Sequence, residues 1–423
     1  MAPLSEPKSV ADRLRATLEP VLGVAPEIEE LRRLTGGASR ETWSFAAGGR
    51  ELILRRDPPG RPSAPGAMRL EADSMRACGR AHLRVPEVIV DDDGTLLGTA
   101  GLVMARVPGE TLARRILRDD EFAHARDVLV DDLGAFLAGF HAIDPNEVSG
   151  ANEVDSLEQY WSSYQMVEDH SPTFEKAYEW LVDNRPPRSA TTLVHGDLRM
   201  GNVIVTPEGL AAVIDWELVH AGDPLEDLGW LCVKAWRFGE PLEVGGVGTI
   251  DQLVDAYERA GGQKVDRDAL HWWLVMKTLQ WGIGCMGQAA VHLLGAVRSV
   301  ELAAIGRRVA EQEWDLIELL APAEWSAARS APPAPTIDDI AGLHGRPTAR
   351  ELLDAVRSYL LDDVVPGTTG RLSFHGRVAA NVIAIVEREL AQASEVPSGD
   401  DWASLARAVR DKLAVANPKH LNR

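Results

Sequence analysis

Short runs of alternating apolar and polar residues mark roughly the first 110 residues of the chain. Side chains along a strand alternate between two faces, so such runs predict β-strands, and Gly48-Gly49 is typical of the turn between two of them. One stretch, over 68–80, has helical spacing instead. We therefore expect a small β-rich lobe with one helix, whose strands lie at 34–45, 51–56, 85–90 and 101–107.

Helical spacing replaces this alternation from Thr111 onward. Leu129 and Leu133, for example, fall on one face of a predicted helix. A Trp- and Tyr-rich helical stretch over 157–182 comes next, and a short β-rich island over 193–216 interrupts the helical pattern. Further long helices are expected to about residue 320.

A proline-rich segment, SAARSAPPAPT over 326–336, predicts a linker, because proline and small residues cannot build a core. Beyond it, three apolar stripes with helical spacing begin at Leu352, Val378 and Trp402 and predict three helices. The expected organisation is a folded region over 1–325, with an N-terminal lobe at about 25–107 and a C-terminal lobe at about 108–325, then the linker and a helical accessory domain over 337–423.

The charge balance limits the partners that the chain can have. It carries 44 Lys and Arg residues against 64 Asp and Glu residues, a net charge of −20. A field of this sign repels phosphate backbones, so we expect no nucleic-acid partner. It leaves room for a local basic pocket that holds a phosphorylated ligand.

The three cysteines, Cys78, Cys232 and Cys285, are far apart and include no CxxC pair. They predict small buried thiols rather than a disulfide framework or a zinc site. The most apolar stretch, roughly 272–300, is interrupted by Lys277 and other polar residues and is too polar for a membrane span. We expect a soluble, cytoplasmic protein without a membrane partner.

The densest group of polar motif residues lies in the β-rich island, where HGDLRMGN over 195–202 precedes VIDW over 213–216. Asp197 and Asn202 are five residues apart, as in a kinase catalytic loop, and Asp215 follows a short predicted hairpin. Phosphoryl transfer needs a carboxylate near the attacking hydroxyl and oxygen ligands for Mg²⁺. The spacing therefore predicts Asp197 as the catalytic carboxylate and Asn202 and Asp215 as magnesium ligands.

Two further residues of this motif have expected roles. Arg199 is two residues after Asp197, where its cation could touch the γ-phosphate or screen the carboxylate, and a structural salt bridge is the alternative. His195 is expected to be structural, through hydrogen bonds to the loop backbone.

Upstream, the segment TGGASRETW over 35–43 lies between two strand segments, within the first strand region of the predicted β-rich lobe. Paired glycines let backbone N–H groups approach phosphates closely, so Gly36, Gly37 and Ser39 are candidate phosphate-binding residues. An ordinary hairpin turn is the alternative for such a segment.

The strand RELILRR over 50–56 supplies a candidate cation. Kinases place a lysine on the corresponding strand, paired with a glutamate on a helix. Alternation puts Arg55 and Arg56 on opposite faces, and we assign the phosphate-holding role to Arg55, with Glu71 as its partner. Two solvent-facing arginines are the alternative.

These motifs, in this order, resemble the aminoglycoside phosphotransferase and choline kinase family over about residues 25–320. The resemblance implies an α+β, two-lobed protein-kinase-like fold with a β-rich N-lobe and a helical C-lobe, here followed by a small all-α C-terminal domain. It also implies ATP in the cleft, with Met104 and Arg106 in the hinge that contacts adenine. Asp227, in GDPLEDLGW, looks like the aspartate that braces the catalytic loop. Arg55 departs from the lysine that is usual in the family.

Within the family, RELILRRDPPG and WELVHAGDPLEDLGW resemble the branch associated with acyl-CoA dehydrogenases. This resemblance implies an ATP- and Mg²⁺-dependent kinase for the hydroxyl of a hydroxyacyl-CoA, of the 4-hydroxyacyl-CoA type, with functional coupling to an acyl-CoA dehydrogenase. The tail resembles small bacterial proteins that accompany such kinases. Two alternatives stay open: an aminoglycoside or other antibiotic phosphotransferase, and a nucleotide-binding scaffold without turnover.

Aromatic residues of the C-terminal lobe are candidates for lining an apolar substrate pocket. A Trp stripe at helical spacing is more often part of a core, so packing is the alternative. The candidates are Tyr160, Trp161, Trp272, Trp273 and Trp281.

Overall fold

The computed structural model describes residues 7–34, 40–332, 334–337, 339, 346–392 and 399–422. Its contacts divide into two compact units, each considered by itself. Unit 1 comprises residues 1–154 and 187–270, and unit 2 comprises residues 155–186 and 271–423. In the described ranges, no helix has both the length and the apolar character that crossing a membrane requires.

Among the described residues, the strands all lie in unit 1 and are short. In chain order they are β1 Glu29–Arg33, β2 Glu41–Ala47, β3 Arg50–Arg56, β4 Val88–Asp92, β5 Gly101–Ala105, β6 Thr192–Val194, β7 Val203–Thr206, β8 Gly209–Val213 and β9 His220–Gly222.

The helices account for most of the remaining described residues. They are α1 Pro7–Leu22, α2 Ala67–Arg80, α3 Ala113–Arg118, α4 Ala123–His141, α5 Ser156–Tyr164, α6 Pro172–Asp183, α7 Leu225–Cys232, α8 Ile250–Arg259, α9 Arg267–Leu293, α10 Val300–Gly306, α11 Val309–Leu320, α12 Pro322–Arg329, α13 Ala349–Tyr359, α14 Val365–Gly367, α15 Gly370–Ala391 and α16 Trp402–Ala416.

Five antiparallel strands form the N-terminal sheet in the order β1-β2-β3-β5-β4. Of the strand expected over 34–45, residues 41–45 form the first part of β2, while residues 35–39 lie outside the described residues. Strand β1 lies before the expected range and was not predicted. Strand β4 begins at Val88, three residues later than expected, beyond Pro86. The β-rich lobe with one central helix, α2, is otherwise as predicted.

Helix α1 covers part of this sheet and was not expected from the sequence. It buries Val10, Leu14 and Leu18 completely in the same apolar cluster as Trp43 and Leu54. Its apolar stripe, which continues to Leu22, repeats every four residues, so the helical spacing is present in the sequence, but most of the segment is polar and the helix depends on the sheet that receives this stripe.

Two small antiparallel pairs position the β-rich island of the site. Strands β7 and β8 form a hairpin, and β6 pairs with β9. Their side chains are almost entirely buried, so these short strands are rigid supports for the loops that connect them.

Unit 2 is helical, and its C-terminal segment contains the three helices predicted from the apolar stripes, α13, α15 and α16. Helix α12 extends to Arg329 and so occupies the first residues of the predicted linker, while Thr336 pairs with Gln392. The boundaries expected from the sequence, a linker over 326–336 and an accessory domain over 337–423, stay a prediction.

Helix α16 shares one apolar cluster with α11 and α12, to which it contributes Leu405, Val409 and Leu413. Beside this cluster, two buried carboxylates of α11 pair with a lysine of α16 and with a histidine that follows α16. Lys412 Nζ lies 2.7 Å from Glu313, and His420 Nε2 lies 2.8 Å from Asp315. The last helix is thus part of the core of unit 2.

The aromatic residues proposed for a substrate pocket have packing roles where their contacts are described. The Trp272 indole N–H donates to Leu181 O at 2.9 Å, and Trp273 is 7% exposed. Trp161 stacks on Tyr178 at 3.8 Å between ring centroids. Tyr160 and Trp281 are half-buried.

Candidate active site

The β7–β8 hairpin brings the two expected magnesium ligands to the same end of one pair of strands. Val203 lies opposite Val213 in the register, and the Ile214 N–H donates to Asn202 O at 3.0 Å. Asp215 then leaves the strand in the left-handed region, with φ of +70°. A non-glycine residue in this region is uncommon and is often found at functional sites.

The Asp197 carboxylate accepts hydrogen bonds from three side chains. Oδ1 accepts from Arg199 Nε at 3.0 Å and from Trp230 Nε1 at 2.9 Å, and Oδ2 accepts from Asn202 Nδ2 at 2.6 Å. Burial raises the pKa of Asp197, although the Arg199 cation acts to lower it. A carboxylate held in this way is oriented and is a better proton acceptor than an exposed one.

Asp227 braces the loop that carries Asp197. Its carboxylate accepts the backbone N–H groups of His195 and Gly196 at 2.8 and 2.9 Å and contacts His141 Nε2 at 3.2 Å. Burial acts to raise the pKa of Asp227, but these hydrogen bonds and the nearby histidines hold it below its ordinary value. Gly196 has φ of +79°, and a Cβ there would lie 2.7 Å from Leu218 O, so the turn requires glycine.

The His195 ring is buried and bonds to backbone at both nitrogens. Nδ1 accepts the Asp197 N–H at 3.2 Å, so the proton is on Nε2, which donates to Ile214 O at 3.2 Å. Burial lowers the pKa of His195 despite the neighbouring carboxylates. These contacts fit the structural role expected for this residue.

Arg55 lies beside the predicted metal ligand. Its Nη2 donates to Asp215 Oδ1 at 2.6 Å, and its Nη1 lies 3.7 Å from Glu71 Oε2. Arg56 lies on the opposite face, is fully buried and bonds to Glu41 at 2.9 and 3.0 Å. The alternative of two solvent-facing arginines therefore does not hold.

A second arginine, Arg40, approaches the same acidic group. It donates to Glu71 Oε1 at 2.6 Å and lies 3.4 Å from Asp57 and 3.9 Å from Glu217. Glu71 thus lies between two guanidinium groups, and the closer of them is Arg40 rather than the expected Arg55.

The charges of this group influence one another. Burial raises the pKa of Glu71 to about 7, although Arg55 and Arg40 both act to lower it. Burial also acts to raise the pKa of Asp215, but the charge and hydrogen bond of Arg55, with smaller effects of His195 and Arg199, together hold this pKa below its ordinary value. Arg55 and Asp215 are therefore both charged, and they neutralise each other in this structure.

The other expected cofactor-binding residues are placed as follows. Met104 is buried on β5, opposite Ile53 of β3. Arg106 pairs with Glu51 at 2.9 Å, where both side chains are exposed. Gly36, Gly37 and Ser39 lie outside the described residues, so their phosphate-binding role stays a prediction.

The residue types at the hairpin fit magnesium. Asn202 uses its amide nitrogen on Asp197, which leaves its carbonyl oxygen available to a metal, and Asp215 offers a carboxylate. Magnesium takes oxygen ligands, commonly one or two carboxylates completed by water and substrate phosphates. Among the described residues there is no cluster of three or more His, Cys, Asp or Glu side chains suited to a metal, so this site would rely on such ligands.

Three residues of the site were missed by sequence reasoning, namely Arg40, Trp230 and Trp236. Arg40 lies within the glycine-rich segment TGGASRETW, and Trp230 ends GDPLEDLGW, so both belong to motifs that were recognised in the sequence. Trp236 lies under the Arg199 guanidinium, 4.7 Å from it. Each acts through a long-range side-chain contact, which spacing along the chain does not show.

Similarity to known proteins defines the class. Residues 30–273 match the family described as phosphotransferase enzyme family, which is more than half of the chain, and residues 366–401 match a domain of unknown function (DUF6285). The chain therefore belongs to the phosphotransferase enzyme family and is a phosphotransferase. The family resemblance predicted from the motifs is confirmed.

Curated relatives are acyl-CoA dehydrogenase family members. The chain is 31% identical to mouse family member 10 over 217 residues, which is 48% of this chain and 20% of that protein. It is 26% identical to chicken family member 11 over 323 residues, which is 69% of this chain and 40% of that protein. The chain thus spans less than half the length of these relatives.

Solved structures support the fold. A candidate aminoglycoside phosphotransferase from Ralstonia eutropha JMP134 has a TM-score of 0.59 at 22% identity, covering 72% of this chain and 97% of that chain. A thermostable variant of aminoglycoside phosphotransferase APH(4)-Ia, in complex with AMP-PNP and hygromycin B, has a TM-score of 0.50 at 18% identity, covering 74% and 99%. The expected kinase-like α+β fold with a helical C-terminal region is confirmed.

Proposed function

We propose that the chain is an ATP- and Mg²⁺-dependent kinase that phosphorylates the hydroxyl of a hydroxyacyl-CoA, of the 4-hydroxyacyl-CoA type. The observation that carries the kinase chemistry is the group of Asp197, Asn202 and Asp215 with Arg55 beside it. The relatives named as acyl-CoA dehydrogenase family members support the acyl-CoA part of the proposal and the coupling to such a dehydrogenase.

The transfer would run in one displacement. The substrate hydroxyl oxygen attacks the γ-phosphorus of ATP, the bond to the β,γ-bridging oxygen breaks, ADP leaves, and the hydroxyl proton passes to Asp197. Burial raises the pKa of Asp197, which favours this acceptance. Arg199, hydrogen-bonded to the same carboxylate, would screen its charge from the phosphates.

Nucleotide binding would change the partners of Arg55. The guanidinium now neutralises Asp215, and it would move to the α- and β-phosphates while Asn202 and Asp215 hold the metal. Mg²⁺ would supply charge neutralisation on the phosphates. Glu71 and Arg40 would remain paired with each other, so that the negative charge of Glu71 stays balanced after Arg55 has moved.

Location and coupling complete the proposal. The three cysteines are free and buried, which fits a reducing cytoplasm. Phosphate is a better leaving group than hydroxide, so the product is primed for elimination, and an enzyme acting on the resulting acyl-CoA would follow.

A substrate panel tests the proposal. Purified protein is given ATP with 4-hydroxyacyl-CoA, unmodified acyl-CoA or aminoglycosides, and ADP release and phosphorylated product are measured. We expect phosphorylation of the hydroxyacyl-CoA alone. Transfer to aminoglycosides with none to any hydroxyacyl-CoA would refute the substrate, and nucleotide binding without transfer to any acceptor would indicate a scaffold.

The catalytic carboxylate is tested by Asp197→Asn. We expect kcat to fall by about 10²–10⁴-fold with the melting temperature unchanged, because the amide cannot accept the proton. Asp131→Asn is the matched control, since Asp131 is 65% exposed and pairs with Arg259 on the surface. Wild-type turnover in Asp197→Asn would show that the reaction does not depend on this residue.

A further inference from the structure

Helix α7 contacts the loop that carries Asp197 through two of its side chains. Asp227 accepts backbone N–H groups of the loop, and Trp230, three residues later, donates its indole N–H to Asp197 Oδ1 at 2.9 Å. Residues three apart share a helix face, so one surface of α7 holds both the backbone and the functional side chain of the loop. Trp230 is 3% exposed, so the indole that donates this hydrogen bond is buried.

A second tryptophan holds the partner of Asp197. Trp236 lies in a short 3₁₀ helix directly after α7, and its ring lies 4.7 Å from the Arg199 guanidinium carbon. The rings of Trp230 and Trp236 pack against each other at 5.2 Å. Arg199 Nε is in turn hydrogen-bonded to Asp197 Oδ1. The two indoles therefore support the two charged groups of the loop from one side.

The two carboxylate oxygens of Asp197 differ in how many hydrogen bonds they already accept. Each carboxylate oxygen has two lone pairs. Oδ1 already accepts from Arg199 and Trp230, whereas, among the side chains that the structure describes, Oδ2 accepts only from Asn202. The position that remains to accept a substrate proton is on Oδ2.

We infer that Trp230 and Trp236 are positioning residues that orient Asp197 and Arg199, so that Oδ2 of Asp197 faces the attacking hydroxyl. This inference rests on the proposed function, because it assumes that Asp197 accepts the proton. An aspartate side chain turns about two bonds, and the indole N–H fixes this rotation through a donor that carries no charge. Trp236 limits the motion of Arg199 by a cation–π contact rather than by a second carboxylate.

Kinetics of conservative variants test the inference. Trp230→Phe keeps the ring and removes the N–H, and we expect kcat to fall about 10- to 100-fold with the KM for ATP within about twofold of wild type. Trp236→Leu should lower kcat about threefold to tenfold, and Trp236→Phe, which restores an aromatic face, should recover most of the loss. Trp272→Phe is the control, because it also removes a buried indole hydrogen bond, to Leu181 O.

A resonance measurement separates the inference from the proposed function. With ¹⁵N-labelled tryptophan, the Trp230 indole N–H signal is assigned as the one lost in Trp230→Phe. We expect it to exchange slowly with solvent and to shift in Asp197→Asn, whereas the Trp272 signal should not move.

The outcomes are distinct. If Asp197→Asn abolishes turnover but Trp230→Phe has wild-type kcat, or loses only melting temperature as Trp272→Phe does, the positioning role is wrong and the kinase proposal stands. If Asp197→Asn turns over normally, the proposed function fails. An indole signal unaffected by Asp197→Asn overturns the contact itself, whichever substrate is used.

Discussion

Leu413 of α16 tests whether the C-terminal segment belongs to the core of unit 2. Its side chain is completely buried in the cluster that α16 forms with α11 and α12. Truncation to alanine removes three methylene-sized groups and leaves a cavity, since helices on both sides limit collapse. We expect Leu413→Ala to lower the free energy of unfolding by about 2–5 kcal/mol.

The assay is a urea titration of the full chain followed by tryptophan fluorescence. Trp314 and Trp325 lie in the same cluster, 5.6 Å apart, and report its opening. Leu390→Ala is the matched control, because Leu390 lies on α15 with 45% of its surface exposed, and its loss should be below about 0.5 kcal/mol. The kinase activity of Leu413→Ala should fall with the folded fraction.

Equal stabilities of the Leu413→Ala and Leu390→Ala variants would refute the packing of α16 on α11 and α12. The same comparison bears on deletion of residues 337–423. Removing α16 also removes Lys412 and His420 from the buried carboxylates Glu313 and Asp315. The deletion should therefore destabilise the rest of unit 2, which the loss of an independent domain would not do. A truncated protein with unchanged melting temperature, kcat and KM would contradict this.

Two further predictions concern charges of unit 1. Arg55→Ala should raise the KM for ATP at least about tenfold, and Arg55→Lys should raise it less, because a lysine keeps the positive charge but loses the two-pronged hydrogen bonding of the guanidinium. Arg50→Ala, an exposed change on the same strand, is the control and should not alter the KM. An equal effect of Arg55→Ala and Arg50→Ala would contradict the assignment of Arg55. Burial lowers the pKa of His195, so at this residue the folded protein binds fewer protons than the unfolded chain. The contribution of His195, taken as the unfolding free energy of wild type minus that of His195→Asn, should therefore be constant above about pH 6.5 and fall as the pH drops below it, as measured by urea titrations of both proteins between pH 5 and 8. Glu71, whose pKa is raised to about 7, acts in the opposite direction in both proteins and leaves this difference unchanged. A fall of equal slope in His195→Asn would assign it to other groups.

The sequence determined those features that depend on neighbours along the chain. Asp197, Asn202 and Asp215 could be predicted because one loop and one tight hairpin connect them, so their spacing nearly specifies their proximity. Arg55 and Arg56 could be assigned to opposite faces because a strand alternates. The three tail helices followed from their apolar stripes for the same local reason.

Tertiary structure alone decided which distant side chains meet. Arg40 takes the closer position on Glu71, Trp230 reaches Asp197 from α7, and α16 covers α11, although none of these pairs is close along the chain. The apolar stripe of α16 predicts a buried face but not the helix that buries it. Such contacts depend on the packing of whole elements, where a displacement of one or two ångströms makes or breaks a hydrogen bond, and no residue spacing encodes that distance.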